Sequence, residues 1–456
     1  MARDQVDLTP IERRDDLVHW LAQGVKPKSQ FRIGTEHEKF AFTLQGHCPV
    51  PYDGPRGIRA LLEGMQHLLG WEPIMEGPNI IGLFDVTGGG AISLEPGGQF
   101  ELSGAQLETV HQTSGELMAH LAQVREVARP LRIGFLGIGM TPTWTRAEMP
   151  KMPKGRYKIM TAYMPKVGTL GLDMMYRTCT VQTNLDFASE ADMVKKLRVS
   201  IALQPVATAL FANSPFTEGK PNGYLSFRSE IWRDTDNARA GTLPWAFEVG
   251  MGFERWVDYA LDVPMYFIKR GDDYIDVAGQ SFRDLLAGKL RALPETRATI
   301  SDWANHLSTI FPEVRLKRYL EMRGADSGTL PNLLALPTLW TGLLYDDASL
   351  DAAWDLVKGW NAEDRQNLRD AVPKLALAAT VRGRTVLEIA VEVLALARAG
   401  LERRNRRDPS GKDETRYLEV LEARLARKTT PAQELLDKYH GPWRGLVDPI
   451  YDDEAY

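Results

Sequence analysis

Apolar and polar residues repeat with two periods along the chain, one typical of helices and one typical of strands. Apolar residues at helical spacing predict helices, and extended apolar or alternating stretches predict strands. The predicted helices cover residues 10–23, 105–130 and 190–212, and the predicted strands include 31–42, 91–103 and 131–140. From about residue 349 onward the pattern is mainly helical.

The composition changes little from one end of the chain to the other. No Ser/Gly linker, low-complexity tract or internal repeat divides the sequence. We therefore expect a single domain over 1–456, with a strand-rich core over about 30–330 and a helical C-terminal part over about 331–456.

Several short predicted strands carry polar side chains at every second position, so that these side chains share one face. For a single strand, this alternation usually means a solvated outer face. The set differs because glutamate is depleted in strands, whereas here carboxylates recur beside aromatic residues and glycines. The alternating positions are Glu36 and Glu38; Gln99, Glu101 and Ser103; Thr178, Thr180, Gln182, Asn184 and Asp186; and Tyr319, Glu321 and Arg323.

If these polar faces converge, several carboxylates lie close together. Such charges repel, and either their pKa values rise or cations neutralise them. Ligand sets made only of oxygen suit Mg²⁺ or Mn²⁺ and not zinc. The pattern therefore indicates a metal–nucleotide site with an arginine nearby.

Other candidate motifs are weaker. The segment 87–90, TGGG, is most simply a hairpin turn, and the glycines in 134–139 have the wrong spacing for a dinucleotide fingerprint. The basic segment around Lys154 and Arg156 either approaches phosphates or stays a solvated loop. His37 is interpreted as structural.

The composition is that of a globular protein and excludes several classes. The 456 residues include 55 Lys and Arg against 60 Asp and Glu, with a net charge of −5, 44% hydrophobic residues and two cysteines. Disordered chains have fewer apolar residues, disulfide scaffolds have more cysteine, and general nucleic-acid binders are basic. No apolar run approaches the roughly 20 residues that cross a bilayer. We expect no nucleic-acid partner and no membrane contact.

The N-terminal segment MARDQVDLTP lacks the charged-then-apolar profile of a signal peptide, and its acidic residues argue against a transit peptide. This predicts a cytoplasmic protein in a reducing compartment. Cys48 and Cys179 are accordingly expected to be free thiols, although they can in principle pair.

Seven long segments carry a family resemblance. They are GTEHEKF (34–40), LEPGGQFELSG (94–104), MPKGRYKIM (152–160), LGLDMMYRTCTVQTNLDF (170–187), LFANSPFTEGKPNGYLSFRSEIW (210–232), YALDVPMYF (259–267) and IFPEVRLKRYLEMRGADSG (310–328). Together they resemble the glutamate–cysteine ligases of the plant type, which also occur in proteobacteria. The resemblance runs from about residue 10 to the C-terminus.

The resemblance implies an α+β fold, in which a glutamine-synthetase-like antiparallel sheet curves into a funnel and is backed by helices. It implies one catalytic domain that joins the γ-carboxyl of L-glutamate to the amine of L-cysteine through a γ-glutamyl phosphate, the first step of glutathione synthesis. ATP is the expected co-substrate, Mg²⁺ (or Mn²⁺) the expected metal, and a monomer or homodimer the expected assembly. The alternatives are a ligase with another amine acceptor, a guanidino-kinase-like phosphotransferase, and a non-catalytic metal- or thiol-binding protein.

The resemblance also implies roles for individual residues. Arg323, beside Glu321, is expected to stabilise the transferring phosphoryl group, and Arg228 is expected to bind the α-carboxylate of glutamate. Trp232, Thr178, Cys179 and Tyr266 are expected near the substrates, and Lys154 and Arg156 near ATP. The expected metal ligands are Glu36, Glu38, Glu95, Glu101 and Glu321, with Gln182 as a neutral one.

Two features depart from the plant pattern. Val277 and Ala292 occupy the places of the regulatory cysteine pair of the plant enzymes. No thiol switch of the plant kind is therefore expected. The plastid transit peptide is also missing, which favours a bacterial cytoplasmic enzyme.

Overall fold

A computed structural model describes residues 6–456 of the chain. Residues 1–5, the start of the segment MARDQVDLTP, lie outside the described residues. The strands are β1 (Ile33–Thr43), β2 (Glu72–Glu76), β3 (Asn79–Phe84), β4 (Ala91–Leu94), β5 (Phe100–Ser103), β6 (Ile133–Leu136), β7 (Thr180–Leu185), β8 (Phe216–Thr217), β9 (Lys220–Pro221), β10 (Ala240–Gly241), β11 (Phe267–Arg270), β12 (Asp273–Asp276), β13 (Phe311–Pro312), β14 (Val314–Leu316), β15 (Leu320–Asp326), β16 (Thr380–Val381) and β17 (Arg384–Thr385).

Helices occupy much of the remaining chain and dominate its last third. They are α1 (Arg14–Ala22), α2 (Ile58–Leu69), α3 (Val110–Leu131), α4 (Gly155–Tyr163), α5 (Gly171–Arg177), α6 (Glu190–Leu210), α7 (Phe227–Ile231), α8 (Phe253–Asp262), α9 (Phe282–Leu286), α10 (Ile300–Ser308), α11 (Leu330–Leu344), α12 (Asp347–Val357), α13 (Ala362–Leu375), α14 (Val386–Arg404), α15 (Glu419–Arg427), α16 (Pro431–His440) and α17 (Ile450–Asp453). No helix in residues 6–456 has the length and apolarity needed to cross a membrane.

One antiparallel sheet of nine strands positions the candidate site. Its order is β14-β15-β7-β1-β5-β4-β3-β2, and β6 pairs with the second half of β1. The first half of β1 pairs with both β5 and β7, which makes β1 the central strand. This antiparallel sheet together with the helices confirms the α+β prediction.

The predicted elements exist, and their ends differ for local reasons. The helix predicted over 105–130 begins at Val110 because Thr109 caps it, accepting from Gln112 N at 3.2 Å, and it runs one residue past Pro130. The strand predicted over 91–103 is divided because the chain turns between Glu95 and Gly98, whose φ is +83°. The segment 87–90 forms the predicted hairpin turn between β3 and β4.

Two further expectations concern helix α6 and the thiols. Ser189 caps α6 as predicted, accepting from Asp192 N at 3.1 Å, and Pro205 lies inside the helix without ending it. Cys48 and Cys179 are both free, as predicted.

A continuous apolar core joins the sheet to the C-terminal helices. Its buried members run from Ile11 to Leu425. Helix α11 is buried along nearly its whole length and packs against both β7 and α14. The strand-rich and helical parts therefore share one core, whereas the single catalytic domain itself stays a prediction. A second apolar cluster, which we call the aromatic cluster, contains Phe40, Phe42, Tyr157, Cys179 and Tyr266.

Candidate active site

The pairing register brings polar side chains from neighbouring strands to one face of the sheet. Glu38 of β1 lies opposite Glu101 of β5, and Glu36 lies opposite Gln182 of β7. Residues directly opposed in antiparallel strands point to the same side of a sheet. The alternation seen in the sequence therefore produces a shared polar face.

Glu38 and Glu101 lie within the field of Glu95 and are harder to ionise than ordinary glutamates. Burial raises the pKa of Glu38 well above its ordinary value, and the charges of Glu95 and Glu101 raise it further. Burial and the charge of Glu95 likewise raise the pKa of Glu101. Ser93 and Ser103 partly offset this by donating to Glu101 at 2.9 and 2.7 Å. We call these three glutamates the carboxylate group.

The carboxylate group has the chemistry of a divalent-cation site. Its oxygens are hard ligands of the kind that Mg²⁺ and Mn²⁺ prefer, and a cation relieves their mutual repulsion. Within residues 6–456, no three or more His, Cys, Asp or Glu side chains are gathered as a ready metal site. The residues therefore fit a cation by charge and ligand type, and not as a preformed coordination shell.

Glu95 lies in the turn between β4 and β5, close to the start of α4. Tyr157 donates to Glu95 Oε1 at 3.3 Å and to Leu94 O at 2.8 Å. Lys154, the N-cap residue of α4, donates to the same Leu94 carbonyl at 2.8 Å. Burial lowers the pKa of Lys154, and the charge of Glu95 opposes that shift. Lys154 thus places an amine beside the carboxylate group.

Arg156 is held differently from Lys154. Its guanidinium carbon lies 5.6 Å from the ring centre of Tyr157 and 5.6 Å from that of Phe267. Such cation–π contacts hold a guanidinium group against the aromatic cluster. The two basic residues expected near ATP therefore both lie at the start of α4, Lys154 beside Glu95 and Arg156 against two aromatic rings.

Glu321 is buried among cations and not among the other carboxylates. Arg315 donates to its two oxygens at 3.0 and 2.7 Å, Lys317 Nζ lies 3.2 Å from Oε2, and Arg323 pairs with Oε1. Burial alone would raise the pKa of Glu321, but Arg315, Lys317 and Arg323 hold it well below its ordinary value. A carboxylate neutralised in this way has little charge left for a metal ion. Here Glu321 anchors Arg323, and its role as a metal ligand stays a prediction.

Glu321 lies opposite Asn184 of β7 on the polar face, and Arg323 connects it to Gln182. Arg323 Nη1 donates to Gln182 Oε1 at 2.7 Å. Asn184, on the same face, donates to Glu36 Oε1 at 2.9 Å. Gln182 and Glu36 thus each have a protein partner, and their roles as metal ligands stay predictions.

A narrow cleft lies beside Arg323, lined in part by Arg228, Trp232, Phe311 and Glu313. The buried Arg228 donates from Nη2 to Arg323 O at 3.1 Å. Its Nε and Nη1 have no hydrogen-bond partner within residues 6–456. A buried guanidinium with unmet N–H groups is suited to an anionic ligand. The structure thus brings Arg228, Trp232 and Arg323 together, as expected from the sequence.

Three residues expected near the substrates are not among the residues that line this cleft. Thr178 Oγ1 donates to Met174 O at 2.7 Å, and the Cys179 side chain is fully buried in the aromatic cluster. The hydroxyl of Tyr266, also in that cluster, donates to Asp236 Oδ2 at 3.0 Å. Each of these side chains has contacts within the protein in this conformation, and its expected place near the substrates stays a prediction.

Sequence reasoning missed two basic residues that define the Glu321 environment. Arg315 lies opposite Glu321 in the β14–β15 pair, and Lys317 follows it at the same period-two spacing. The alternation of Arg315, Lys317 and Tyr319 was the signal that could have found them. A short basic run is usually solvated, so this signal is weak until the pairing of β14 with β15 is known.

The fold and site together define a class of protein. An antiparallel sheet that bears mutually repelling carboxylates beside buried arginines is suited to an enzyme that binds a divalent cation, phosphate groups and a small acid. Residues 32–453 match the family described as glutamate-cysteine ligase family 2, and the chain belongs to this family. The family resemblance seen in the sequence is therefore confirmed.

Named relatives support the same assignment. The chain is 56% identical over 443 residues to the chloroplastic glutamate–cysteine ligase of Nicotiana tabacum, which covers 97% of this chain and 83% of that protein. It is 53% identical over 453 residues to the chloroplastic glutamate–cysteine ligase A of Oryza sativa subsp. japonica, covering 99% of this chain and 90% of that protein. The crystal structure of glutamate–cysteine ligase from Francisella tularensis in complex with AMP has the same fold, with a TM-score of 0.54 and 11% identity over 92% of this chain and 87% of that one.

The comparisons also correct one expectation. The relatives from tobacco, Arabidopsis thaliana and rice are chloroplastic enzymes. The prediction of a cytoplasmic location is therefore wrong, because it relied on the composition of an N-terminal segment and not on relatedness.

Proposed function

We propose that this chain is an ATP-dependent ligase that joins the γ-carboxyl of L-glutamate to the amine of L-cysteine, the first step of glutathione synthesis. The observation that carries the proposal is the identity of 53–56% to glutamate–cysteine ligases over nearly the whole chain. The geometry of the polar face and the adjoining cleft supports a separate role for each group of residues.

The chemistry requires activation of a carboxylate. An ionised carboxylate does not react with an amine at neutral pH, because its oxygen is a poor leaving group. Transfer of the γ-phosphoryl group of ATP to the γ-carboxylate gives γ-glutamyl phosphate and ADP. The cysteine amine then attacks the acyl carbon, forming the C–N bond, while phosphate leaves and the amine loses a proton. Such phosphoryl transfer depends mainly on positioning and charge neutralisation.

Glu38, Glu95 and Glu101 would hold Mg²⁺, with Mn²⁺ as a substitute. A bound Mg²⁺ supplies charge neutralisation for the phosphate oxygens. The support for this assignment is the raised pKa of Glu38 and Glu101, which reflects burial and unbalanced negative charge. Glu36 and Gln182 lie on the same face and are proposed as further ligands.

The cleft is proposed to bind glutamate. Arg228 has unpaired N–H groups at Nε and Nη1 that would donate to the α-carboxylate. The Trp232 ring lies 6.0 Å from the Arg228 guanidinium and would pack against the substrate's methylene groups. Glu321 fixes Arg323 at the rim of the cleft, where its guanidinium would face the transferring phosphoryl group.

Lys154 and Arg156 are proposed to contact ATP phosphates. Lys154 lies beside Glu95, so a phosphate held by the carboxylate-bound cation would lie within its reach. The chain is further proposed to act as a single catalytic domain, in a monomer or a homodimer.

Product analysis tests the proposed reaction. Purified protein is incubated with ATP, Mg²⁺ and glutamate plus each member of a panel of amines, and both ADP release and the acyl product are measured. We expect γ-glutamylcysteine with cysteine as the preferred amine. Equal or faster turnover with another amine would move the assignment to a different ligase. A stable phosphorylated product without a new amide bond would identify a phosphotransferase.

A second experiment tests the proposed role of Arg228. The variant Arg228→Ala should raise the KM for glutamate while leaving the KM for ATP unchanged. The matched control is Arg384→Ala, which removes a half-exposed guanidinium paired with Glu392. An unchanged glutamate KM in Arg228→Ala would remove this residue from the substrate site.

A further inference from the structure

Asp326, the last residue of β15, is fully buried beside the cleft that contains Arg228. Its carboxylate accepts three hydrogen bonds. Asn213 N and Ser214 Oγ donate to Oδ2 at 2.8 and 2.7 Å, and Ser226 Oγ donates to Oδ1 at 2.9 Å. A carboxylate that accepts this many bonds acts as a fixed anchor for the groups that donate to it.

Both serine hydroxyls also accept hydrogen bonds from the first turn of α7. Because each hydroxyl directs its only hydrogen to Asp326, its lone pairs face backbone N–H groups. Ser226 is the N-cap of α7 and accepts from Ser229 N at 3.3 Å. Ser214 Oγ accepts from Arg228 N at 3.1 Å. The Ser214 hydroxyl alone therefore connects the Asp326 carboxylate to the backbone N–H of Arg228.

Helix α7 needs such an anchor because it is short. It spans only Phe227–Ile231, and isolated helices of that length are unstable in water. Its orientation determines where the Arg228 side chain enters the cleft. The hydrogen bonds to Ser214 and Ser226 thus fix the orientation of a helix that is too short to be stable alone.

The same strand also holds the other end of Arg228. Arg323, three positions before Asp326 on β15, accepts from Arg228 Nη2 through its carbonyl oxygen at 3.1 Å. Burial lowers the pKa of Arg228, and the charge of Asp326 is the largest effect that opposes this. Strand β15 therefore fixes the backbone of Arg228 through Asp326 and its guanidinium through Arg323.

The anchor itself has little room to move. A Cβ added at Gly139 would lie 2.4 Å from Asp326 Cγ, so the backbone of residue 139 packs directly against the carboxylate. Any shift of Asp326 would have to move this segment as well. The side chain is accordingly confined to the conformation that orients the two serines.

We infer that Asp326 is a positioning residue that aims Arg228 at the substrate carboxylate through Ser214 and Ser226. This inference rests on the proposed function of Arg228. In this arrangement Asp326 acts through the two hydroxyls that donate to it. Its role is to keep the unpaired Nε and Nη1 of Arg228 at a fixed place in the cleft.

Steady-state kinetics of Ser214→Ala and Asp326→Asn test the inference. Ser214→Ala leaves the charge of Asp326 in place and removes the hydroxyl that connects Asp326 Oδ2 to Arg228 N. We expect each variant to raise the KM for glutamate by roughly tenfold or more, since a displacement of about 1 Å in a positioning contact can cost on the order of 100-fold. The KM for ATP should stay unchanged. Ser226→Thr, which retains the capping hydroxyl, should keep the glutamate KM near that of the parent protein.

Ser349→Ala is the matched control. Ser349 is equally buried, bonds to Leu396 O at 2.7 Å, and lies on α12 away from the cleft. A general loss of packing would change Ser349→Ala and Ser214→Ala alike, and an equal rise in glutamate KM in both would overturn the inference. Thermal melting of each variant verifies that the chain is folded.

Arg228→Ala separates the two levels of the proposal. If Asp326 acts through Arg228, adding Asp326→Asn to Arg228→Ala should raise the glutamate KM no further. If Arg228→Ala raises the glutamate KM but Ser214→Ala and Asp326→Asn do not, the positioning role of Asp326 is wrong and the role of Arg228 stands. If Arg228→Ala leaves the glutamate KM unchanged, the proposed role of Arg228 fails, and the inference fails with it.

Discussion

Glu38 on β1 lies directly opposite Glu101 on β5, so two glutamates share one position of the antiparallel register. Like charges placed opposite each other weaken a strand pair, and burial makes the repulsion worse. A sheet built only for stability would not retain this pair. Sites that trade stability for function are expected to contain such conflicts. The pair therefore supports a charged ligand on this face.

Glu38→Gln should uncouple stability from activity. The raised pKa of Glu38 means that its contribution to stability is fully present below its unfolded pKa, near 4.5, and is lost as pH rises through the folded value. The metal-free protein should therefore melt at a lower temperature as pH rises, and Glu38→Gln should reduce this dependence. Activity should fall by about 10- to 100-fold or more, as for other residues that support a metal site. Thermal melting across pH and the ligase assay measure the two effects.

Magnesium should raise the melting temperature, whereas a rise in pH should lower it. Adding Mg²⁺ at high pH should raise the melting temperature of the parent protein more than that of Glu38→Gln, because the variant lacks one of the repelling charges. Glu126→Gln, an exposed substitution on α3, is the control and should respond like the parent. Equal Mg²⁺ stabilisation of parent and Glu38→Gln would exclude Glu38 from the cation site.

Glu321→Gln should destabilise the folded protein and lower its ligase activity. Glu321 is the shared anion for Arg315, Lys317 and Arg323, so its loss leaves buried cations unpaired. Breaking a buried ion pair on one side costs about 3–5 kcal/mol of unfolding free energy. Because the pKa of Glu321 is held well below its usual range, this stability is present above its unfolded pKa, near 4.5, and is lost as pH falls through the folded value. Denaturant titration of the variant at neutral and acidic pH measures both effects.

Glu392→Gln provides the comparison for Glu321→Gln. Glu392 pairs with Arg384 at 2.7 Å, but both side chains are nearly half-exposed. Exposed pairs of this kind contribute about 0–1 kcal/mol. A similar loss in the two variants would mean that burial does not strengthen the Glu321 cluster.

The two thiols should react at very different rates. Cys48 is exposed, whereas Cys179 is buried, and burial raises the pKa of its thiol well above the ordinary value. The thiolate is the reactive form, so a thiol reagent should label Cys48 quickly and Cys179 only when the chain opens. Mass spectrometry of peptides after timed labelling gives the two rates.

Cys48→Ser is the control for this experiment. It should remove the fast phase and leave the slow one. Ligase activity should survive complete labelling of Cys48, because that residue lies in a loop after β1 and outside the cleft. Fast labelling of Cys179 in the native protein would show that the aromatic cluster opens readily.

The strands of the polar face could be predicted because alternation is a local property. Glu36, Glu38, Glu101 and Gln182 follow the period-two pattern that places side chains on one face. The strand order could not be predicted, since it depends on pairings between segments far apart in sequence. The opposition of Glu38 to Glu101 became visible only with the register.

For other residues, a local pattern does not reveal the surroundings of the side chain. Glu321 alternates like the other glutamates, but strand β14 brings Arg315 opposite it, and a local pattern carries no information about that neighbour. Cys179 and Tyr266 lie in segments that resemble the family, yet their side chains contribute to the aromatic cluster. Sequence resemblance identifies segments near a site, and only packing decides which side chains reach it.

Tyr266→Phe tests whether Tyr266 is structural. Its hydroxyl donates to Asp236 at 3.0 Å, Asp236 pairs with Arg239 at 2.6 Å, and the Arg239 guanidinium lies 3.7 Å from the Tyr266 ring centre. Hydrogen bonds to charged groups contribute about 1.5–3 kcal/mol, so the variant should lose that much unfolding free energy. Tyr52→Phe, which removes a hydrogen bond to the neutral Ile80 carbonyl at 2.9 Å, should lose less, about 0.5–1.5 kcal/mol. Because Tyr266 lies outside the cleft, the glutamate and cysteine KM values should not change. A rise in either KM without loss of stability would instead support the prediction that Tyr266 lies near a substrate.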